Sequence, residues 1–278
     1  TRWHQHQDFD DGGQQTNVSG GSHSFGLETI TDVRINVDDA ALTVPSAVQR
    51  ALVPPVLVET EQLADGVWLL GGGSHNSVAI EFQDHIAVIE APLNEERSLA
   101  VIEELMSLVP TKPIRFIITT HHHWDHVGGL RTYVHDGATV ITHEGNRAYY
   151  QEILRARPWL LEPDRFSLHP PEEWSEGYIF ETVGEKYILE DESRTVELHH
   201  VQDLNHVSGM LIAYFPQEKL VVEADLYTPP PGDQPPSTPS ASSRTFYENL
   251  QRLNLDVETI VPIHGRPTLM STFVESVR

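Results

Sequence analysis

The apolar run Ile114–Ile118 leads straight into Thr119-Thr120-His121-His122-His123-Trp124-Asp125-His126, and two glycines, Gly128 and Gly129, close the segment. No other stretch restricts the fold as strongly. Imidazoles and a carboxylate crowded together cannot enter an apolar core without partners. They also cannot be a terminal affinity tag, because the run is internal, follows a strand-like segment and contains an aspartate. In α/β folds ligands gather beyond the carboxyl ends of strands. A loop there can aim alternate residues at one point, so His121 and His123 are expected to share one cation, with Asp125 and His126 turned to a second. Imidazole nitrogen and carboxylate oxygen bind zinc at ~2.0–2.2 Å. Gly128 and Gly129 are expected to let the backbone turn tightly and start a helix.

The rest of the chain supplies an alternating frame for that loop. Residues 1–24 are polar and glycine-rich and predict a hairpin or a disordered lead-in, and Leu27–Val37 predicts a strand. Pro45, Pro54 and Pro55 punctuate a connector, and we place a boundary near residue 58. Strands are expected at 66–70, 78–82, 85–89, 114–118, 139–142, 187–189, 195–200, 210–215, 220–223 and 259–263. Asn94 is a suitable N-cap, with Glu95 and Glu96 in the first turn, for a helix whose apolar spacing is Leu99, Ile102, Leu105, Met106 and Val109. Further helices are expected at 128–135, 144–155, 243–253 and 268–277. Residues 157–185 read as an irregular insertion and 228–239 as a proline-rich loop.

Charge and composition narrow the function classes. The net charge is −23, from 41 acidic and 18 basic residues. Such a field repels phosphate backbones and anionic membrane surfaces, so we expect a small-molecule substrate, no nucleic acid and no membrane partner. There are no cysteines, which excludes disulfides, thiolate metal ligands and a cysteine nucleophile. No apolar run approaches the ~20 residues that span a bilayer. The sequence opens on Thr1 without a start methionine or signal peptide, and is expected to be a trimmed product. A trimmed, cysteine-free, acidic chain suits a bacterial periplasm or secretion slightly better than the cytoplasm.

The His-x-His-x-Asp-His pattern resembles the signature of the metallo-β-lactamase superfamily, and three later segments resemble it in the same order. They are Asn205-His206-Val207-Ser208-Gly209, Leu220-Val221-Val222-Glu223-Ala224-Asp225 and Ile260-Val261-Pro262-Ile263-His264-Gly265. The resemblance covers roughly residues 60–275. It implies a four-layer αββα sandwich over residues 59–278. Residues 1–58 have no counterpart in the core fold and are expected to be an N-terminal extension, a remnant of a preceding domain, or an arm that builds a homodimer. The resemblance also implies a ligand set: His121, His123 and His206 on one metal, Asp125, His126 and His264 on the other, and Asp225 bridging. His199 and His200 compete with His206 for its place, and the Gly209 spacing favours His206. His122 should point away from the metals. His75, alone in the turn Gly71–Asn76, reads as a solvated loop residue that overhangs the site at most. Tyr227 is a candidate hydrogen-bond donor to a developing oxyanion. The sequence departs from the family's usual Asp-x-Gly at Glu90-Ala91-Pro92, where Glu90 is expected to stand in for the aspartate.

What the resemblance implies chemically is hydrolysis by a hydroxide bridging two divalent metals, with zinc first and iron or manganese as alternatives. Asp125 and Asp225 would position that hydroxide. An aspartate at 225 is similar to glyoxalase II and lactonase-like members, whereas true β-lactamases generally carry Cys or Ser there. Ester-like, lactone and thioester bonds therefore come first, then β-lactams. An iron-dependent sulfur dioxygenase is the alternative chemistry, and a metal-stabilised scaffold without activity is the non-enzymatic one.

Overall fold

The computed structural model describes residues 14–20, 23–30, 44–52, 55–155, 163–170, 180–230 and 239–277. Contacts divide the chain into Thr1–Pro55 and Val56–Arg278. In the first unit β1 (Gln14–Gly20) and β2 (His23–Ile30) form an antiparallel hairpin, and α1 (Ser46–Gln49) is a single turn with no buried residue. The remainder of the expected strand Leu27–Val37 lies outside the described residues.

The second unit begins with β3 (Glu59–Ala64), β4 (Val67–Gly71), β5 (Ser77–Glu81), β6 (Ile86–Ile89), α2 (Glu95–Leu108) and β7 (Ile114–Ile118). It continues through α3 (Trp124–Val127), α4 (Leu130–His135), β8 (Thr139–His143), a 3-10 turn at Glu144–Asn146, α5 (Arg147–Arg155), α6 (Arg165–Leu168) and β9 (Phe180–Val183). Strands β3 to β9 pair in sequence order as one seven-stranded sheet, antiparallel up to β6 and parallel from β6 to β9. The segment 157–185, expected to be irregular, thus contributes α6 and an edge strand. A second, six-stranded sheet follows in order: β10 (Lys186–Glu190), β11 (Thr195–His200), β12 (Leu211–Phe215), β13 (Leu220–Glu223), β14 (Thr259–Pro262) and β15 (Thr268–Leu269). Only β13 and β14 are parallel in it, joined through α7 (Ala241–Arg252). Helix α8 (Met270–Val277) closes the chain.

The inner strands β6 and β13 are apolar on both faces, as buried parallel strands must be, and their period of two sorts the core into layers. Ala87 and Ile89 of β6, Ile118 of β7, and Leu220 and Val222 of β13 fill the space between the sheets. The alternating residues Ile86, Val88 and Ile117 face α2, α4 and α5, while Val221 and Ile260 face α7 and α8. Two mixed sheets packed face to face, with helices outside each, make the α/β sandwich.

Helix α2 starts where Asn94 accepts a hydrogen bond from Arg97 N at 2.9 Å. Its buried face is Arg97, Ser98, Val101 and Leu105, whereas Met106 is exposed. Burial penalises the Arg97 guanidinium and lowers its pKa. It is compensated by bonds to the carbonyls of Leu57 (3.1 Å), Leu70 (2.7 Å) and Gly71 (3.1 Å). That cation therefore clamps the end of β4 just before the loop that carries His75. Gly128 and Gly129 have ordinary backbone angles, with φ of −60° and −99°. Their requirement is space: a Cβ would stand 2.0 Å from Leu93 O at the first and 2.0 Å from Ser98 Oγ at the second. The glycines let the metal loop lie against the start of α2, a different reason from the tight turn expected.

Candidate metal centre

The register of the sheets brings every sequence-predicted ligand to one rim of the sandwich. Strands β7 and β14 end just before His121 and His264, and β13 ends two residues before Asp225. Strand β12 runs antiparallel to β13, so its beginning, after His206, lies beside the end of β13. Strand β5 runs antiparallel to β6, so its beginning, after His75, lies beside Glu90. Cross-sheet backbone bonds close the rim: Leu211 N donates to Thr120 O at 2.8 Å, and Asn76 N to Ile263 O at 2.9 Å.

Two groups of donor atoms result, each with all its atoms within 4.8 Å of one another. One is His121, His123, His206 and Asp225; the other is His75, Asp125, His126 and His264. Asp225 lies between them. Its Oδ2 is 2.9 Å from His206 Nε2 and 3.3 Å from both His121 Nε2 and His126 Nε2, and its Oδ1 is 3.0 Å from His264 Nε2. Its backbone sits in the left-handed region, φ 60°, at the sharp turn off β13. Glu223 holds that turn: its Oε2 accepts from Leu226 N (2.9 Å) and Tyr227 N (3.2 Å). Burial pushes the Glu223 carboxyl up to about 8.

Glu90 takes the supporting role expected of it. It too is left-handed, φ 71°, and fully buried. Its Oε1 accepts from Thr120 N at 2.7 Å, and its Oε2 lies 2.5 Å from His126 Nδ1. A carboxylate on one ring nitrogen fixes the tautomer and leaves the other nitrogen for a metal. His121 is oriented similarly by Thr120 Oγ1, 3.0 Å from its Nδ1, and His264 Nδ1 donates to Ser74 O at 3.1 Å.

Other histidines are turned elsewhere. His122 Nδ1 is 3.1 Å from Asn146 Oδ1. His199 pairs with Glu197 at 2.8 Å, and His200 Nε2 donates to Ser208 O at 2.7 Å, so neither rival replaces His206. Gly209 leaves room for Asn146, whose Oδ1 would be 2.7 Å from a Cβ there. Tyr227 is buried beneath α7 and α8, its ring 4.7 Å from that of Phe273. One expectation needs correction. His75 is 5% exposed, not solvated, and its Nε2 lies 3.4 Å from Asp125 Oδ2.

The donor set fits divalent cations. Ligands held tetrahedrally at ~2.0–2.2 Å from an ion are separated by roughly 3.3–3.6 Å, close to the spacings around Asp225. Burial, reinforced by neighbouring imidazoles, lowers the His123 pKa to about 4, and burial lowers that of His121, which keeps both rings in the neutral ligand form. For His126 burial acts downward, but Glu90 and Asp225 outweigh it and raise the ring to about 10. Burial opposes ionisation of Asp225, yet the surrounding imidazoles hold its carboxyl far below the usual range. The bond from His75 lowers Asp125 to about 2.

A family model described as Metallo-beta-lactamase superfamily matches residues 70–264. Similar solved structures include a metallo-beta-lactamase from Pontibacter korlensis, 15% identical with a TM-score of 0.58 over 80% of this chain and 97% of that one. The DIM-1 metallo-beta-lactamase exposed to ceftazidime is 12% identical, with a TM-score of 0.58 over 81% and 96% of the two chains. Rubredoxin oxygen:oxidoreductase from Desulfovibrio gigas is 15% identical, with a TM-score of 0.58 over 78% of this chain and 59% of its own. These likenesses show the fold. A curated relative, the 2,4-dinitroanisole O-demethylase subunit alpha of Nocardioides sp. (strain JS1661), is 25% identical over 207 residues, 74% of this chain. The match spans 57% of that relative's length.

Proposed function

The chain belongs to the metallo-β-lactamase superfamily, and from that premise we propose that it is a hydrolase holding two divalent cations, zinc first, which cleaves an ester-like, lactone, thioester or β-lactam bond of a small substrate. The observation that carries this reading is the pair of His/Asp groups with Asp225 shared between them. When bound, two such cations supply Lewis acidity and lower the pKa of water at the site. The protein's own part is positional. Asp225 fixes the spacing of the two groups through both carboxylate oxygens. Glu90, Thr120 and Ser74 hold the imidazoles by their far nitrogens or through the loop, so that little reorganisation accompanies the reaction. Asp125 is one-third exposed and ionised at neutral pH. Its place in the second donor group makes its role to help hold a cation and to orient water there. Catalysis is assigned to residues 59–278, with residues 1–58 an N-terminal extension or remnant.

A second reading has its own support. The curated relative's name denotes removal of a methyl group from a nitroaryl ether, and the same water-activating centre suits an activated C–O bond. One preparation tests both, with the dioxygenase alternative beside them: elemental analysis together with turnover on a lactone, a thioester, a chromogenic β-lactam, 2,4-dinitroanisole and, under oxygen, a persulfide. Two zincs per chain with hydrolysis of a carbonyl substrate supports the first reading, and release of dinitrophenolate with methanol supports the second. One iron per chain with sulfite formed from a persulfide supports the sulfur dioxygenase and overturns both.

A further inference from the structure

His75 stands outside the ligand set that the sequence pattern supplies, yet the fold delivers it to the centre with care. Its loop is fixed at every step. Gly72, at φ 134°, passes so close to Leu57 that a Cβ would be 2.2 Å from its carbonyl oxygen. Arg97 clamps the carbonyls of Leu70 and Gly71 on one side. On the other, the Asn76 amide donates to Pro262 O at 3.1 Å and Gly265 O at 2.8 Å, tying the loop to the opposite sheet. Ser74 then serves two rings. Its carbonyl accepts from His264 Nδ1 at 3.1 Å, and its hydroxyl lies 2.8 Å from His75 Nδ1. With both Nδ1 atoms engaged, both Nε2 atoms are left for the site. The His75 ring is 4.1 Å from that of His264 and 5.1 Å from that of His126.

Resting on the two-cation reading above, we propose that His75 is a ligand of the second cation. That position is then held by His75, Asp125, His126 and His264 together with the shared Asp225, against His121, His123, His206 and the shared Asp225 at the first. The added ligand is neutral, so it raises the coordination number without reducing the net positive charge of the centre. Five protein groups nearly fill the second position and make it the tighter one. Four leave an opening at the first, and the substrate oxygen to be polarised belongs there. The pair is therefore unequal by construction.

The test uses the full chain loaded with zinc and, separately, with cobalt. Wild type, His75→Ala and His75→Gln are dialysed against graded dipicolinate and their metal content measured, with thermal melts to verify folding. Both variants should release one of two zincs at a chelator concentration at least about 100-fold lower than wild type, since even outer-shell partners are worth 10–100-fold in affinity. The visible bands of the cobalt form should intensify as the second ion loses a ligand. Ser74→Ala, which keeps the imidazole and removes its orienting hydroxyl, should fall between. A folded His75→Gln that holds both ions as tightly as wild type, with an unchanged cobalt spectrum, overturns the assignment whatever happens to turnover. A wild type that binds one ion per chain overturns the two-cation reading itself, a result the variants alone cannot produce.

Discussion

Replacing Glu90 with glutamine changes one carboxylate oxygen to an amide nitrogen and leaves the shape of the side chain intact. Both Glu90 and its ring partner are fully buried, and the site presents two donors, Thr120 N–H and His126 Nδ1–H, to two acceptor oxygens. A glutamine has one acceptor and one donor. If its oxygen keeps Thr120, its NH2 faces His126 Nδ1, and the ring relieves the clash only by moving its proton to Nε2, the nitrogen aimed at Asp225. That tautomer cannot bind a metal. The alternative rotamer leaves Thr120 N–H against an N–H, at about 1–3 kcal/mol. The left-handed backbone at φ 71° is common to both chains and cancels. The variant should therefore lose about 10–100-fold in affinity for the second cation, or about 1.4–2.8 kcal/mol. Chelator competition followed by elemental analysis reads this directly. Equal retention of both ions in Glu90→Gln and wild type would show that the short contact to His126 does not set its tautomer.

Three further outcomes are expected. Asp225→Ala should lose metal occupancy and turnover together, and full activity in that variant would remove the bridging role. Gly128→Ala should destabilise the fold by at least about 1–3 kcal/mol through overpacking, because its Cβ would meet Leu93 O, and an unchanged denaturation midpoint would refute the close-approach argument. Asp164 is held by Arg131 at 2.5 and 3.1 Å and also caps α6 through Ser167 N. Burial pushes its carboxyl up, but the Arg131 and Ser167 bonds prevail and its pKa is lowered. Its stabilisation is thus present above the unfolded value near 3.8 and lost as pH falls through the folded one. Asp164→Asn should cost about 1.5–3 kcal/mol at pH 7, the worth of hydrogen bonds to a charged group, and flatten the acid limb of a stability–pH curve, so parallel curves would contradict the pairing.

The sequence carried the fold where local pattern and global packing agree. The apolar runs of β6, β7 and β13 alternate between the two core layers, and each ligand follows a strand end. Three features resisted reading for separate reasons. Tyr227 follows the left-handed turn at Asp225, which ends the period of two of β13, and its ring joins the helix-side core beside Phe273. His75 has no helical or strand spacing of its own. Its placement depends on Arg97 and on Asn76 reaching across to the carbonyls of Pro262 and Gly265, contacts 26 to 189 residues apart in sequence. Its only local signal is a Ser-His pair between a glycine run and a strand. Gly128 and Gly129 look like turn glycines in sequence, and only the approach of α2 reveals that volume is what they provide.

Each of the two donor groups draws on both halves of the chain: His121 and His123 against His206 and Asp225, and His75, Asp125 and His126 against His264. An ion in either position would therefore be a rivet through two plates already joined at this rim by backbone bonds and by the Asn76 amide. Neither plate owns a complete set of donors, so a chain cut between β9 and β10 would leave each piece with only part of both groups. Loading the centre would therefore cross-link the two sheets at their shared rim.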